Sequence, residues 1–160
     1  MACREQDADP NVLPPATQTG ANTAGCLVDG KVWVASKKYI NTVGGRGTYA
    51  HKHKDFIEIQ LDLRSVTGDS EIFIQLYKDN VEINKVYDIP GDYYYSNSGT
   101  SYSSMDNDFF TKQPNYTGKI KFTRIDIPRN IVSGTFEFDA VDEEGNVVHI
   151  TEGRFDKKFD

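Results

Sequence analysis

Phe56-Ile57-Glu58-Ile59-Gln60-Leu61-Asp62-Leu63 alternates apolar and polar side chains without a break, with Ile57, Ile59, Leu61 and Leu63 on one face and Glu58, Gln60 and Asp62 on the other. A period of two is the mark of a strand packed on one side and wet on the other. Glu71 to Tyr77 repeats it with Ile72, Ile74 and Leu76 inward, and Thr67-Gly68-Asp69 supplies a turn, so the two stretches read as an antiparallel hairpin.

Working outward, the same pattern recurs on both sides. Cys26-Leu27-Val28 and Val32-Trp33-Val34 flank Asp29-Gly30, the residue pair that a two-residue type I′ turn favours. Lys37 to Thr48, with Gly44, Gly45 and Gly47, reads as a loop. Gly91 to Lys112 reads as one or two short strands with an exposed loop. Three strands are expected at the end of the chain, Gly118 to Asp126, Ile131 to Val141 and Val147 to Phe155. The last two are joined by Asp142-Glu143-Glu144-Gly145-Asn146, with Gly145 placed for a left-handed residue. No long segment carries helical periodicity. Strands arriving about every ten residues with turns between them predict an all-β fold, a mainly antiparallel β-sandwich or open barrel.

The beginning of the chain is of another kind. Cys3 follows the small residue Ala2 and opens a polar run to Thr23, in which Pro10, Pro14 and Pro15 oppose sheet formation. That is the pattern of a lipoprotein just after signal-peptide cleavage, with Cys3 as the lipid anchor. The division expected is a flexible lipoprotein tether over 1–24 and a single β-domain over 25–160, a size that can bury a core unaided. No signal-peptide apolar region precedes Cys3. On this reading the leader has been removed and Met1 is an added start. Cys26, the other cysteine, reads as a small buried hydrophobe in the first strand.

Charge narrows the partners. With 18 Lys and Arg against 24 Asp and Glu the net charge is −6, and no basic run stands out, which argues against nucleic acid and anionic headgroups. No apolar stretch approaches the roughly 18 residues of a membrane helix, so membrane contact is expected only through the lipid anchor.

Leu13-Pro-Pro-Ala-Thr-Gln-Thr-Gly-Ala-Asn-Thr-Ala-Gly-Cys26, continued by Leu-Val-Asp-Gly-Lys-Val-Trp33, resembles the start of a family of uncharacterised Bacteroidetes cell-envelope lipoproteins. Ile131-Val-Ser-Gly-Thr-Phe-Glu-Phe-Asp-Ala-Val141 and Val148-His-Ile-Thr-Glu-Gly-Arg-Phe-Asp156 are similar to its end. The resemblance implies an anchored β-domain outside the inner membrane, and brings no activity or catalytic residue with it. Glu5, Asp7 and Asp9 also resemble the acidic signal that sends such lipoproteins to the outer face of the outer membrane, although Arg4 interrupts it. The expected location is the cell envelope, in the outer membrane, periplasmic or surface-exposed.

Few constellations carry chemistry. His51 and His53 share a face if they lie on a strand, yet two imidazoles beside Lys52 and Lys54 make no metal centre, and no metal or other cofactor is expected. His149 reads as a packed or rim residue. No nucleophile elbow, zinc-protease motif, phosphate loop or dinucleotide fingerprint occurs, and no enzyme activity is expected. Carboxylates in Asp106, Asp108, Glu143 and Glu144 can supply a glycosidase pair, but spacing along the chain does not set their separation. Asp106-Asn107-Asp108 and Asp142 to Asn146 can each wrap Ca²⁺, but neither follows the twelve-residue calcium-loop pattern, and both are read as turn formers.

Aromatic residues in the loop are harder to absorb. The alternation expected of extended backbone would send Tyr93 and Tyr95 to one side and Tyr94 to the other, with Tyr102, Phe109 and Phe110 nearby in sequence. Tyr among Ser and Asn offers stacking area and hydroxyls, as sugar- and peptide-binding surfaces do, and equally plugs the end of a barrel. Tyr93, Tyr94, Tyr95 and Tyr102 are therefore the candidate ligand-binding residues of a binding or interaction module, and a glycan, a peptide or another envelope protein is the expected partner. A carrier of a small apolar ligand in a barrel-like interior is the alternative, and a hydrolase the third reading.

Overall fold

The computed structural model describes residues 9–36, 49–52, 57–91, 98–112 and 114–158. Eleven strands follow in chain order: β1 Thr23–Val28, β2 Lys31–Val34, β3 Tyr49–Lys52, β4 Ile57–Arg64, β5 Glu71–Lys78, β6 Val86–Ile89, β7 Gly99–Ser103, β8 Asp108–Phe110, β9 Gly118–Asp126, β10 Ile131–Val141 and β11 Val147–Lys158. One turn of 3₁₀ helix, Ile127–Arg129, links β9 to β10. Among the described residues every pairing of these strands is antiparallel, and the sheet runs β2-β1-β11-β10-β8-β7-β5-β4-β3, curled into a half-barrel. β10 is long enough to branch it: Ile131 to Phe138 pair with β9, which carries β6, and Val141 pairs with Phe110 of β8.

The alternating stretches behave as their period dictates. β4 and β5 pair from Ile57–Lys78 to Arg64–Glu71, and Ile59, Leu61, Leu63, Ile72, Ile74 and Leu76 are all buried. β1 and β2 form the expected hairpin, with Asp29 at φ 48° and Gly30 at φ 79°, the two left-handed residues of a type I′ turn. Gly91 to Lys112 contains the two short strands β7 and β8. β6 was not anticipated, and β11 continues past Phe155 to Lys158. Cys26 is fully buried in β1, and burial pushes its thiol up to about 12, against the charge of Arg154, so it is inert at neutral pH.

Curvature brings the ends of the sheet together. Beyond β2, Ala35 bridges Ser65 beyond β4, and Val66 N donates to Val34 O at 2.9 Å. Trp33 Nε1 donates to Ser70 Oγ at 2.7 Å across the same seam. The concave side is filled from both arms, and Phe155 packs at about 6 Å from the rings of Phe122 and Phe136.

Residues 9–22 precede the first strand and join no strand themselves, as their prolines require. Part of this run is nonetheless packed on the domain. Pro14 is buried against Gly25, and Thr17 to Ala21 lie over the convex face, bound to Asp156 of β11. Cys3 and the rest of 1–8 lie outside the described residues.

Candidate functional site

The convex face of β6, β9, β10 and β11 carries the polar half of each alternation. Directly paired residues of antiparallel strands point to the same face. Val86–Lys121, Lys121–Thr135 and Thr135–Arg154 are such pairs, so one row crosses all four strands. Asp88–Lys119 and Lys119–Glu137 form the next row. One step in the other direction is the pair Ser133–Asp156, which Thr17 to Ala21 cover. Where that cover ends, at Ala16, a cleft of about 520 Å³ opens, lined by Val86, Lys119, Lys121, Thr135, Glu152 and Arg154. A second depression of about 320 Å³ shares Lys119 and Glu137 and extends the groove toward Thr117, Asp139 and Thr151.

A β-bulge forms one wall. Phe136 pairs with Gly153 and Phe138 with Ile150, so Glu137 stands opposite both Thr151 and Glu152. The bulge places Glu152 at φ 51°, a left-handed conformation that costs a non-glycine residue on the order of 1 kcal/mol. Arg154 folds back over it, with Nε donating to Glu152 O at 3.0 Å and Nη2 reaching Glu152 Oε2 at 3.3 Å. Strain retained beside a concavity, where Gly would relieve it, is a common property of binding sites.

Of the four tyrosines singled out from sequence, Tyr102 is the one described, and it does not line the cleft. Tyr93, Tyr94 and Tyr95 lie outside the described residues, as do His53 and the loop 37–48. Tyr102 is half-buried on the concave side, its ring 6.0 Å from Phe109, and burial pushes its phenol up against the opposing effect of a hydrogen bond with Ser70. His51 stands on β3 in register with Glu58.

Two acidic loops distant in sequence do meet. Asp106 to Asp108 and Asp142 to Glu144 line a depression of about 320 Å³, and Asn107 Nδ2 donates to Asp142 Oδ2 at 3.2 Å. Asp142 is already engaged by its own turn: it accepts from Asn146 Nδ2, Asn146 N and Glu144 N, and these bonds, led by the Asn146 side chain, hold its carboxyl below the usual range. Its geometry is that of a turn former. Among the described residues no three His, Cys, Asp or Glu side chains are grouped to hold a metal.

His149 Nδ1 lies 2.7 Å from Asp139 Oδ1 on an exposed part of the sheet. The hydrogen bond to Asp139 and then its charge raise the imidazole pKa above the usual 6.5. A raised folded pKa gives stability that is fully present below the unfolded pKa, about 6.5, and lost as pH rises through the folded value. In an NMR titration His149 should therefore titrate above 6.5, and Asp139→Asn should return it to the usual value. An unchanged midpoint would show that the pair does not form in solution.

Lys119, Lys121, Thr135, Glu152 and Arg154 were not anticipated. Lys119-Ile120-Lys121 does signal two cations on one wet strand face, but nothing in a single strand tells which neighbours complete the row. Over residues 26–157 the chain matches a family described as "Domain of unknown function (DUF6252)". No curated protein and no solved structure matches it.

Proposed function

The chain belongs to the DUF6252 family, a domain of unknown function, and from the Ala2-Cys3 start, the polar run behind it and the resemblance of its two ends we propose that it is a lipid-anchored cell-envelope protein of Bacteroidetes type. On this reading it is held at the outer membrane through Cys3 and acts as a binding module, with no catalysis of its own. The cleft beside the Glu152 bulge carries this reading: it is concave, of ligand size, and walled by a residue kept in an unfavourable conformation. Ala16, between the buried Pro14 and the Asp156-bound Thr17, stands at its rim.

Two competing readings have less support. A carrier needs space on the concave side, which Ile59, Leu61, Ile74, Phe122 and Phe136 occupy. A hydrolase needs a nucleophile beside a histidine, and His149, the histidine whose side chain is described, bonds through its ring only to Asp139 among the described residues.

The test is a glycan and peptidoglycan-fragment array probed with the protein, with a Thr135→Tyr variant that fills the cleft, and with Tyr93, Tyr94 and Tyr95 changed to Ala. Binding lost in Thr135→Tyr and kept in the tyrosine variant is expected. The reverse places the contact surface in the tyrosine loop, and no binding by the parent protein ends the binding-module reading. Separately, Cys3→Ala in the precursor should release the protein from the membrane fraction. Unchanged fractionation would refute the anchor.

A further inference from the structure

Charge in the cleft runs against that of the molecule. The chain carries −6, whereas the cleft is lined by Lys119, Lys121 and Arg154 against Glu137 and Glu152, with Asp88 beside Lys119 in the next row. Neighbouring strands lie about 4.8 Å apart, so Lys121 and Arg154, two strands apart in one row, are rooted about 10 Å from each other with Thr135 between them. Side chains of that length reach a common point above the Thr135 hydroxyl. Neither Lys121 nor Thr135 has a side-chain hydrogen bond or ion pair among the described residues. Arg154 does: its Nε donates to Glu152 O at 3.0 Å and its Nη2 to Glu152 Oε2 at 3.3 Å, which leaves Nη1 as the guanidinium nitrogen with no partner among the described residues. A carboxylate thus already fits this guanidinium on this face.

The second row limits what is attached to that carboxylate. Lys119 and Glu137 stand side by side, and Thr117 and Thr151 line the adjoining depression, so donors and acceptors alternate along the groove. This is a surface for hydroxyl groups. A peptide bound by strand addition needs an unpaired strand edge. β9, β10 and β11, which floor the groove, are each paired on both sides, whereas β6 at its rim pairs only with β9 among the described residues, so strand addition would take a peptide along the outer edge of β6 rather than along the floor of the groove.

We propose that the cleft is a subsite for a carboxylated sugar, its carboxylate held between Lys121 and Arg154 over the Thr135 hydroxyl and its ring hydroxyls met by Lys119 and Glu137. The assignment rests on the binding-module reading and gives that reading a ligand class. Glu152 is the internal competitor for Arg154.

Digalacturonate, the neutral disaccharide galactobiose and trialanine, each titrated into the ¹⁵N-labelled protein, separate the possibilities. Digalacturonate should shift the amides around Lys121, Thr135 and Arg154, and galactobiose should bind at least tenfold more weakly. Lys121→Gln, a half-exposed position whose change leaves the melting temperature in place, should weaken digalacturonate binding tenfold or more. Glu152→Gln should strengthen it. Equal binding of galactobiose, or trialanine seated in the cleft, overturns the ligand class and leaves the binding role standing. Undiminished binding by Lys121→Gln overturns the proposed grip. Silence with all three probes removes the ligand class and the binding role of the cleft together.

Discussion

Replacing Asp156 with Asn is expected to destabilise the domain by about 3 kcal/mol or more, seen as a fall of roughly 10 °C in melting temperature. The carboxylate is 1% exposed and faces only donors. Oδ2 accepts from Thr17 Oγ1 at 2.6 Å, Thr19 N at 2.9 Å and Ala21 N at 3.1 Å, and Oδ1 from Gly20 N at 2.8 Å and Ser133 Oγ at 2.7 Å. An amide in its place turns one oxygen into an N–H donor aimed at backbone N–H groups, which cannot reverse. Ser133→Ala, which removes a single bond, should cost only about 1 kcal/mol. A loss below that for Asp156→Asn would show that the segment from Thr17 to Ala21 is not held in solution.

The same group makes a pH prediction. Burial pushes the Asp156 carboxyl up, but hydrogen bonds from Thr17, Ser133 and the amides of Ala21 and Thr19 outweigh it and hold it well below the usual carboxylate range. A depressed folded pKa gives stability that is present above the unfolded value, about 3.9, and lost as pH falls toward the folded one. The stability gap between the parent and Asp156→Asn should therefore be constant at neutral pH and narrow below about pH 4.

Alanine at Gly134 or Gly153 is expected to cost about 2 to 4 kcal/mol, measured by denaturant unfolding. A Cβ on Gly134 would fall inside contact distance of Lys121 O and 2.8 Å from Cζ of Phe155. On Gly153 it would overlap Phe136 O and lie 2.6 Å from two atoms of the Phe136 ring. Backbone carbonyls block both positions, so no rotamer change relieves them, and the aromatic cluster must shift. Gly68→Ala is the contrast: nothing lies near its Cβ, and φ 80° alone should cost about 1 kcal/mol. Equal losses at all three sites would mean that backbone conformation, rather than packing of β9, β10 and β11 around Phe136 and Phe155, decides these positions.

The elements most legible in the sequence are those whose own period is strict. β4 and β5 declare both their extent and their inward face, and β9 and β10 their extent, because alternation is a property of one strand. The four-residue β6 does not: Val86 is 56% exposed, and the strand exists through its pairing with β9. Asp156 gives no local sign of being buried either. It stands on the wet face of β11 and is covered by residues more than 130 positions earlier in the chain. The bulge at Glu152 is hidden for a related reason, since Glu occupies the left-handed position where Gly would have announced it.

By itself, then, the sequence determined that this is an antiparallel β-protein, with which side chains turn inward along β4 and β5 and a polar, proline-bearing N-terminal run outside the sheet, since these depend on neighbours two to four residues apart. Only the tertiary structure decided that Thr17 to Ala21 of that run dock on Asp156, that the two acidic loops meet, and that Lys121, Thr135 and Arg154 form one row around a cleft. Those juxtapositions follow from strand order, register and a single bulge, which arise where strands distant in the chain pair and which no one strand encodes.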